Sequence, residues 1–261
     1  MKNIFRYCLF IILFFCFIGI KSSLDEVQAH TNPYILGATT PDPCETAGCT
    51  GTYDTCWTGE YTGDTDKACQ DSGASQSDGT VSGDIIQTNG DVYARINSSN
   101  DYISYAPISN TIDAAGTVTF ELTTGATNDS ACYLIVVHDD GGTPEYYALR
   151  TGNSSGNAVS LQARYHTPGD VWHTTTNRLA ASTTFKVKWS WHDSNNDSYF
   201  GWAWSGGDDE DENTSISYNT LDSPVAKVAI GDYVGLGCAD PMEIDDVVFK
   251  TGYDNTKPTW P

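Results

Sequence analysis

The chain is 261 residues long, with 34 acidic and 13 basic side chains and a formal net charge of −21 at neutral pH. A field of that sign repels nucleic acid and anionic membranes, and no basic stripe reverses it locally. Acidic chains rich in Asp, Gly, Ser and Thr stay soluble, and they supply the hard oxygen ligands that Ca²⁺ takes.

Residues 1–29 read as an export signal. Lys2 and Arg6 precede an apolar run, Cys8 to Ile20, that is too short to span a bilayer comfortably. Val27-Gln28-Ala29 offers a small-residue cleavage site, with Ser22 and Ser23 as the alternative. Leu13-Phe14-Phe15 lacks the small residue a lipoprotein signal needs before Cys16. Cleavage removes Lys2, Arg6, Lys21, Asp25 and Glu26, so the exported chain is slightly more acidic still. Membrane insertion after cleavage is not expected.

Residues 30–82 form a segment full of Gly, Pro, Thr, Asp and Cys, with no sustained helical or strand period. Such a stretch buries little apolar surface and needs cross-links to hold it. Cys44, Cys49, Cys56 and Cys69 crowd it, while Cys132 and Cys238 stand far apart in the remainder of the chain. An even count in an exported protein reads as disulfides. Zinc competes for the first four cysteines, but it needs tighter paired spacings and reduced thiols. A Cys132–Cys238 bridge would pin a C-terminal segment to a mid-chain strand.

From 83 to 252 short strand-like runs recur between turn residues and no helical period appears, the pattern of an antiparallel sandwich or barrel. The runs include "DVYARI" (91–96), "TVTFELTT" (117–124), "ACYLIVVH" (131–138), "EYYALR" (145–150) and "AVSLQARY" (158–165). Asp139 and Asp140 follow one of these runs in an acidic Gly-rich turn, which is either a Ca²⁺ rim site or a solvated hairpin turn. Trp172 and His173, in a loop-like segment after "TPGD", are the candidate ligand-binding pair, with the indole as a sugar-stacking ring. In "FKVKWSWHDSNNDSYFGWAW" (185–204), Phe185, Val187, Trp189 and Trp191 share one face. Phe200, Trp202 and Trp204 repeat that face on the return strand, as an inner core face does. "DDEDE" (208–212) reads as a solvated loop. Residues 253–261 read as a tail.

Residues 91–250 resemble the LamG-like, concanavalin A-type jelly rolls. The resemblance rests on "DYISY", "GTVTFEL", the Trp-rich hairpin, "KVAIGDY" and the closing "MEIDDVVF" (242–249). It implies an all-β jelly-roll sandwich, preceded here by the Cys-rich segment. Laminarinase-type glucanases share that fold and carry a Glu-x-Asp-x-x-Glu or Glu-x-Asp-x-Glu strand. Glu243 and Asp245 match its first two carboxylates, but Val247 or Val248 stands where the acid/base belongs. Retaining hydrolysis needs two carboxyl groups about the scissile bond, and valine has no proton to donate. Alginate-lyase-type jelly rolls are similar at "VVHDD" and "VFKTGYDN". This implies His138 as base, Tyr253 as acid and Lys250 beside the substrate carboxylate, with Val136 in place of their Gln.

These readings converge on an exported, non-catalytic β-sandwich that binds an extracellular glycan or another surface ligand. A lyase or glucanase on the same fold, and a structural surface or particle protein, are the alternatives.

Overall fold

A computed structural model describes residues 55–57, 67–70, 77–78, 80–83, 85–88, 92–105, 114–126, 131–139, 145–152, 158–167, 169–192, 195–216, 221, 225–238 and 241–261. The chain divides into two compact units, Met1–Asp42 and Pro43–Pro261, and every described residue belongs to the second. The expected leader (1–29), Cys44, Cys49 and Asp140 lie outside the described residues.

Every described element is a strand. The larger sheet holds β1 (Thr55–Trp57), β2 (Lys67–Gln70), β3 (Ser77–Asp78), β5 (Ile86–Thr88) and β6 (Val92–Ile96). It continues with β8 (Ala115–Thr123), β14 (Thr184–His192), β15 (Asp197–Trp204), β16 (Gly207–Asn213) and β18 (Met242–Thr251). The smaller sheet holds β4 (Thr80–Ser82), β7 (Tyr102–Tyr105), β9 (Tyr133–Asp139) and β10 (Tyr146–Gly152). Its remaining strands are β11 (Ala158–Thr167), β12 (Gly169–Thr174), β13 (Leu179–Ala180) and β17 (Val225–Gly231). The paths run β16-β15-β14-β8-β18-β1-β2-β3 and β12-β11-β10-β9-β17-β7-β4, and the pairings are antiparallel. The protein is an all-β sandwich.

Period-two alternation assembles the core. Phe185, Val187 and Trp189 on β14 face Leu122, Phe120 and Val118 on β8. On the other side, Val187 and Trp189 lie opposite Trp202 and Phe200 of β15. All are buried, so the aromatic hairpin is inner face and not an exposed platform. The two sheets meet where Tyr147 lies 6.0 Å from Trp191 and Tyr165 lies 6.3 Å from Trp189. Ile135 and Val137 on β9 and Leu149 on β10 join the same core.

"MEIDDVVF" belongs to this core for a geometric reason. Met242 and Ile244 point inward, and the register then slips between Asp245 and Val248. Asp246 takes the left-handed conformation at φ 50°, and Asp245 Oδ1 accepts the Asp246 N–H at 2.8 Å. The bulge adds one residue, so Val247 and Phe249 also point inward.

Short strands within residues 30–82 pair with strands of the sandwich. Thr55–Trp57 pairs with β18 and Thr80–Ser82 with β7, so part of the 30–82 segment belongs to both sheets. Trp57 is 1% exposed within the main core. These strands are two to four residues long, too short to show a period in sequence. Cys56 and Cys69 occupy facing positions of β1 and β2.

The 253–261 segment, read as a tail, is tied to the larger sheet. Gly252 turns the chain at φ 95°, and its carbonyl accepts the Thr117 hydroxyl at 2.7 Å. The Ser190 hydroxyl donates to the Asp254 carbonyl at 2.7 Å. Lys188, itself buried, donates to Asp254 at 2.6 Å and to Thr256 at 2.9 Å. The segment is a strap across the outer face of the larger sheet.

Candidate ligand-binding face

Tyr147, Leu149, Ala163 and Tyr165 point into the core, so their neighbours Tyr146, Ala148, Arg150, Arg164 and His166 face outward from the smaller sheet. Register then sets one row across that face. Trp172 lies opposite Arg164, Arg164 opposite Ala148, Ala148 opposite Val136, and Val136 opposite Ala229. A slip between Leu149 and Arg150 brings Tyr133 opposite Arg150, onto the same side. Small side chains form the floor, and Tyr133, Tyr146 and Tyr233 pack against it in a hydrophobic cluster separate from the core.

Cations interleave with these rings. The Arg150 guanidinium sits 4.0 Å from the Trp172 ring centroid, and that of Arg164 lies 5.4 Å from the Trp172 and Tyr146 centroids. His166 stacks on Tyr146 at 4.8 Å. Arg164 is held as a fork: Nε and Nη2 donate to the two Asp170 oxygens at 3.1 and 2.8 Å, and Nη1 donates to the Tyr133 hydroxyl at 2.8 Å. Those Arg164 bonds hold the Asp170 carboxyl below its usual range. Burial opposes the charge on Arg164, but its bonds to Asp170 and Tyr133 prevail and raise its pKa. Burial lowers the pKa of Arg150 most and the neighbouring Arg164 charge pushes the same way, while Tyr133 pushes against both. Tyr146 is pushed up, chiefly by burial.

Further along the face His138 meets Tyr233 edge-on at 5.2 Å, and Tyr233 meets Tyr102 at 4.8 Å. Lys227 donates to the Tyr233 hydroxyl at 3.3 Å. The loop carrying Tyr233 is fixed by buried Asp232, whose carboxylate accepts the N–H groups of Gly235 at 2.9 Å and Leu236 at 3.0 Å, and also that of Gly237. Val234 and Leu236 are exposed on this loop.

The expected pair Trp172 and His173 is split by strand geometry. Their segment is β12 and not a loop, so adjacent side chains take opposite sides. Trp172 faces outward, half-buried, and the Arg150 guanidinium lies over its ring. His173 points inward and is 3% exposed. Its Nδ1 lies 2.8 Å from Ser198 Oγ and its Nε2 lies 2.9 Å from Asp211 Oδ1. The Tyr165 hydroxyl donates to Ser198 at 2.6 Å, which leaves the Ser198 proton for Nδ1 and places the imidazole proton toward Asp211. Ser198 is fully buried, so this Ser-His-Asp set has no approach for a substrate and serves as an inter-sheet strut. No spacing in the sequence reveals the set, because β12, β15 and β16 supply one member each.

The other candidates are dispersed. The carboxylate of Asp139 is buried and accepts the Glu145 N–H at 3.1 Å. Among the described residues no group of three or more His, Cys, Asp or Glu side chains could hold a metal ion. Cys132 and Cys238 are joined by a disulfide across 106 residues. His138 lies on the smaller sheet against Tyr233, whereas Tyr253 donates to Glu212 of the larger sheet at 2.6 Å. The lyase-like acid and base thus have separate surroundings.

Glu243 and Asp245 line a cleft of about 160 Å³ with Tyr93, Glu121, Thr123 and Ile244. Glu121, opposite Asp245 in the ladder, is a carboxylate that sequence spacing does not reveal. Val247 is fully buried, turned away from this cleft. "DDEDE" is an edge strand, β16, and not a solvated loop. Asp208 meets Lys257 at 2.7 Å, Tyr199 donates to Glu210 at 3.2 Å, and Asp211 holds His173.

No protein-family model matches this sequence, and no curated protein matches it. Solved structures do. The receptor binding domain of botulinum neurotoxin D is 12% identical, with 78% of this chain and 50% of that chain covered at a TM-score of 0.51. The receptor binding domain of the botulinum neurotoxin C/D mosaic serotype is 13% identical, with 78% and 48% covered at 0.50. Trypanosoma rangeli sialidase in complex with the inhibitor DANA is 10% identical, with 77% and 31% covered at 0.51. The chain spans about half the length of the neurotoxin domains and about a third of the sialidase. At these identities the likeness is one of fold, an all-β sandwich.

Proposed function

We propose that this is an exported, non-catalytic glycan-binding protein of the LamG-like, concanavalin A-type jelly-roll class. Its ligand lies on the outer face of the smaller sheet, around Arg150, Arg164 and Trp172. The observation that carries this reading is a cluster of guanidinium groups and aromatic rings concentrated on one face of a chain whose net charge is −21. Rings offer apolar area to sugar C–H groups, and guanidinium forks offer directed donors to sugar oxygens. The likeness to receptor binding domains and to a sialidase agrees with a surface ligand of this kind.

Export is supported by the leader at 1–29 and by the Cys132–Cys238 bridge, since disulfides persist in oxidising compartments. The non-catalytic reading is supported by Val247 and Val248, both buried and without a proton to donate, and by the separate surroundings of His138 and Tyr253. A glycan-array screen of the exported protein tests the reading. Binding that is lost in Trp172→Ala is expected, and an array without any hit contradicts it. Calcium at Asp139 and Asp140 belongs to the same proposal. Ca²⁺ should raise the melting temperature relative to EDTA by binding only the folded state, and Asp140→Asn should remove the rise.

A further inference from the structure

We infer that Arg150 receives an anionic substituent of the glycan, a carboxylate or a sulfate group. This rests on the reading that the outer face of the smaller sheet binds a glycan, and it adds the chemical class of that glycan.

The two arginines of the face are not equivalent. Arg164 is satisfied: Asp170 takes two of its donors and Tyr133 a third. Arg150, on the neighbouring strand, gives its Nε to Gln162 Oε1 at 3.0 Å and lies on Trp172, with Tyr133 beyond at 5.9 Å. Among the described residues no carboxylate reaches it, although the chain carries 34 acidic side chains. Lys188 and Lys257, by contrast, each hold an aspartate.

Arg150 is therefore a half-buried cation, fixed by the Trp172 ring, the Gln162 amide and the Tyr133 hydroxyl, and among the described residues no carboxylate pairs with it. Burial acts against its charge most and Arg164 adds to that, while Tyr133 offsets part of both. Packing that holds a guanidinium in place reduces the entropy lost when a ligand engages it. A planar fork with open donors matches the paired oxygens of a carboxylate or sulfate, which a neutral hydroxyl does not. Asp170, the acidic neighbour on the face, is already engaged by Arg164 and His166.

The test uses the exported protein and matched probes that differ only in charge. Oligogalacturonates are compared with their methyl esters, and a sulfated galactan with its desulfated form, by calorimetry. The charged member of one pair should bind about 10–100-fold tighter, the value of one charge-assisted bidentate contact. The pair that shows the preference identifies carboxylate or sulfate as the source. Arg150→Gln should bring the ratio close to one. Arg150→Lys keeps the charge but not the fork and should restore only part of it. Lys186→Gln, on the other sheet, should leave the ratio unchanged. Neutral and charged probes bound equally by wild type, with binding lost in Trp172→Ala, would overturn the anion site and leave glycan binding standing. A charge preference that survives Arg150→Gln in protein with a wild-type melting temperature would also overturn it. No binding of either probe class, on these pairs and on the array, would remove the glycan reading itself.

Discussion

His173 is held neutral at the junction of the two sheets, because burial lowers its pKa more than the nearby Asp211 raises it. Its folded-state pKa thus lies below the ordinary 6.5. As pH falls through that ordinary value, the unfolded chain takes up the proton first and stability declines. The urea midpoint of the wild type should therefore begin to drop below about pH 6.5, and that of His173→Gln should drop less. A wild-type midpoint that stays flat from about pH 7.5 to about pH 5 would contradict this placement. Asp170 and Asp254 have lowered pKa values, the first chiefly through Arg164 and the second through Lys188 and Thr256 acting against burial. Their contributions are present above the ordinary carboxylate range and fade below it, so the two effects separate along the pH axis. At this scale the sequence exposes chemical types but not directions. Trp172 is readable as a candidate ring for a ligand, while the inward turn of His173 follows from β12 being a strand. Arg150 and Arg164 stand in plain sight in "EYYALR" and "AVSLQARY". Their importance depends on three-strand register, which no spacing shows.

At the scale of elements, β16 and the C-terminal strap explain each other. Outward-facing Asp208, Glu210 and Glu212 meet Lys257, Tyr199 and Tyr253, while inward-facing Asp211 meets His173. The remaining acidic edge also discourages pairing with another sheet. The close approach of the strap needs Gly201, where a Cβ would lie 2.8 Å from Pro258 Cδ and 2.5 Å from the Tyr199 hydroxyl. Gly201→Val should lift the strap and cost about 1–3 kcal/mol, as overpacking does. Urea denaturation measures the loss, and amide hydrogen exchange of residues 253–261 should be faster in the variant. Unchanged stability and exchange would mean that the strap does not rely on this contact. Neither element is legible from sequence. An edge strand of alternating Asp and Glu has no apolar period, and the strap is a coil whose bonds are made one residue at a time. The aromatic hairpin is legible because alternate positions on both of its strands carry large rings or branched side chains in phase with the core.

For the whole molecule, the Cys132–Cys238 bridge closes 106 residues, from the start of β9 to just before β18. Loop-closure entropy of that length gives about 3–5 kcal/mol of stabilisation. Paired urea curves of wild type and Cys132→Ala/Cys238→Ala should differ by that amount, and coincident curves would assign the stability to packing alone. The fold class and most of the long strands follow from period-two alternation. The joining of residues 55–57 and 80–82 to the two sheets does not, because short strands gain their order from long partners. Net charge likewise conceals the cationic, aromatic patch on the smaller sheet, since it sums over faces. The most direct measurement is NMR chemical-shift mapping of the exported protein with its strongest array ligand. Perturbations should cluster on β9–β12, including the Arg150 guanidinium and the Trp172 indole. Perturbations centred instead on the Glu121, Glu243 and Asp245 cleft or on the strap would contradict the proposed site.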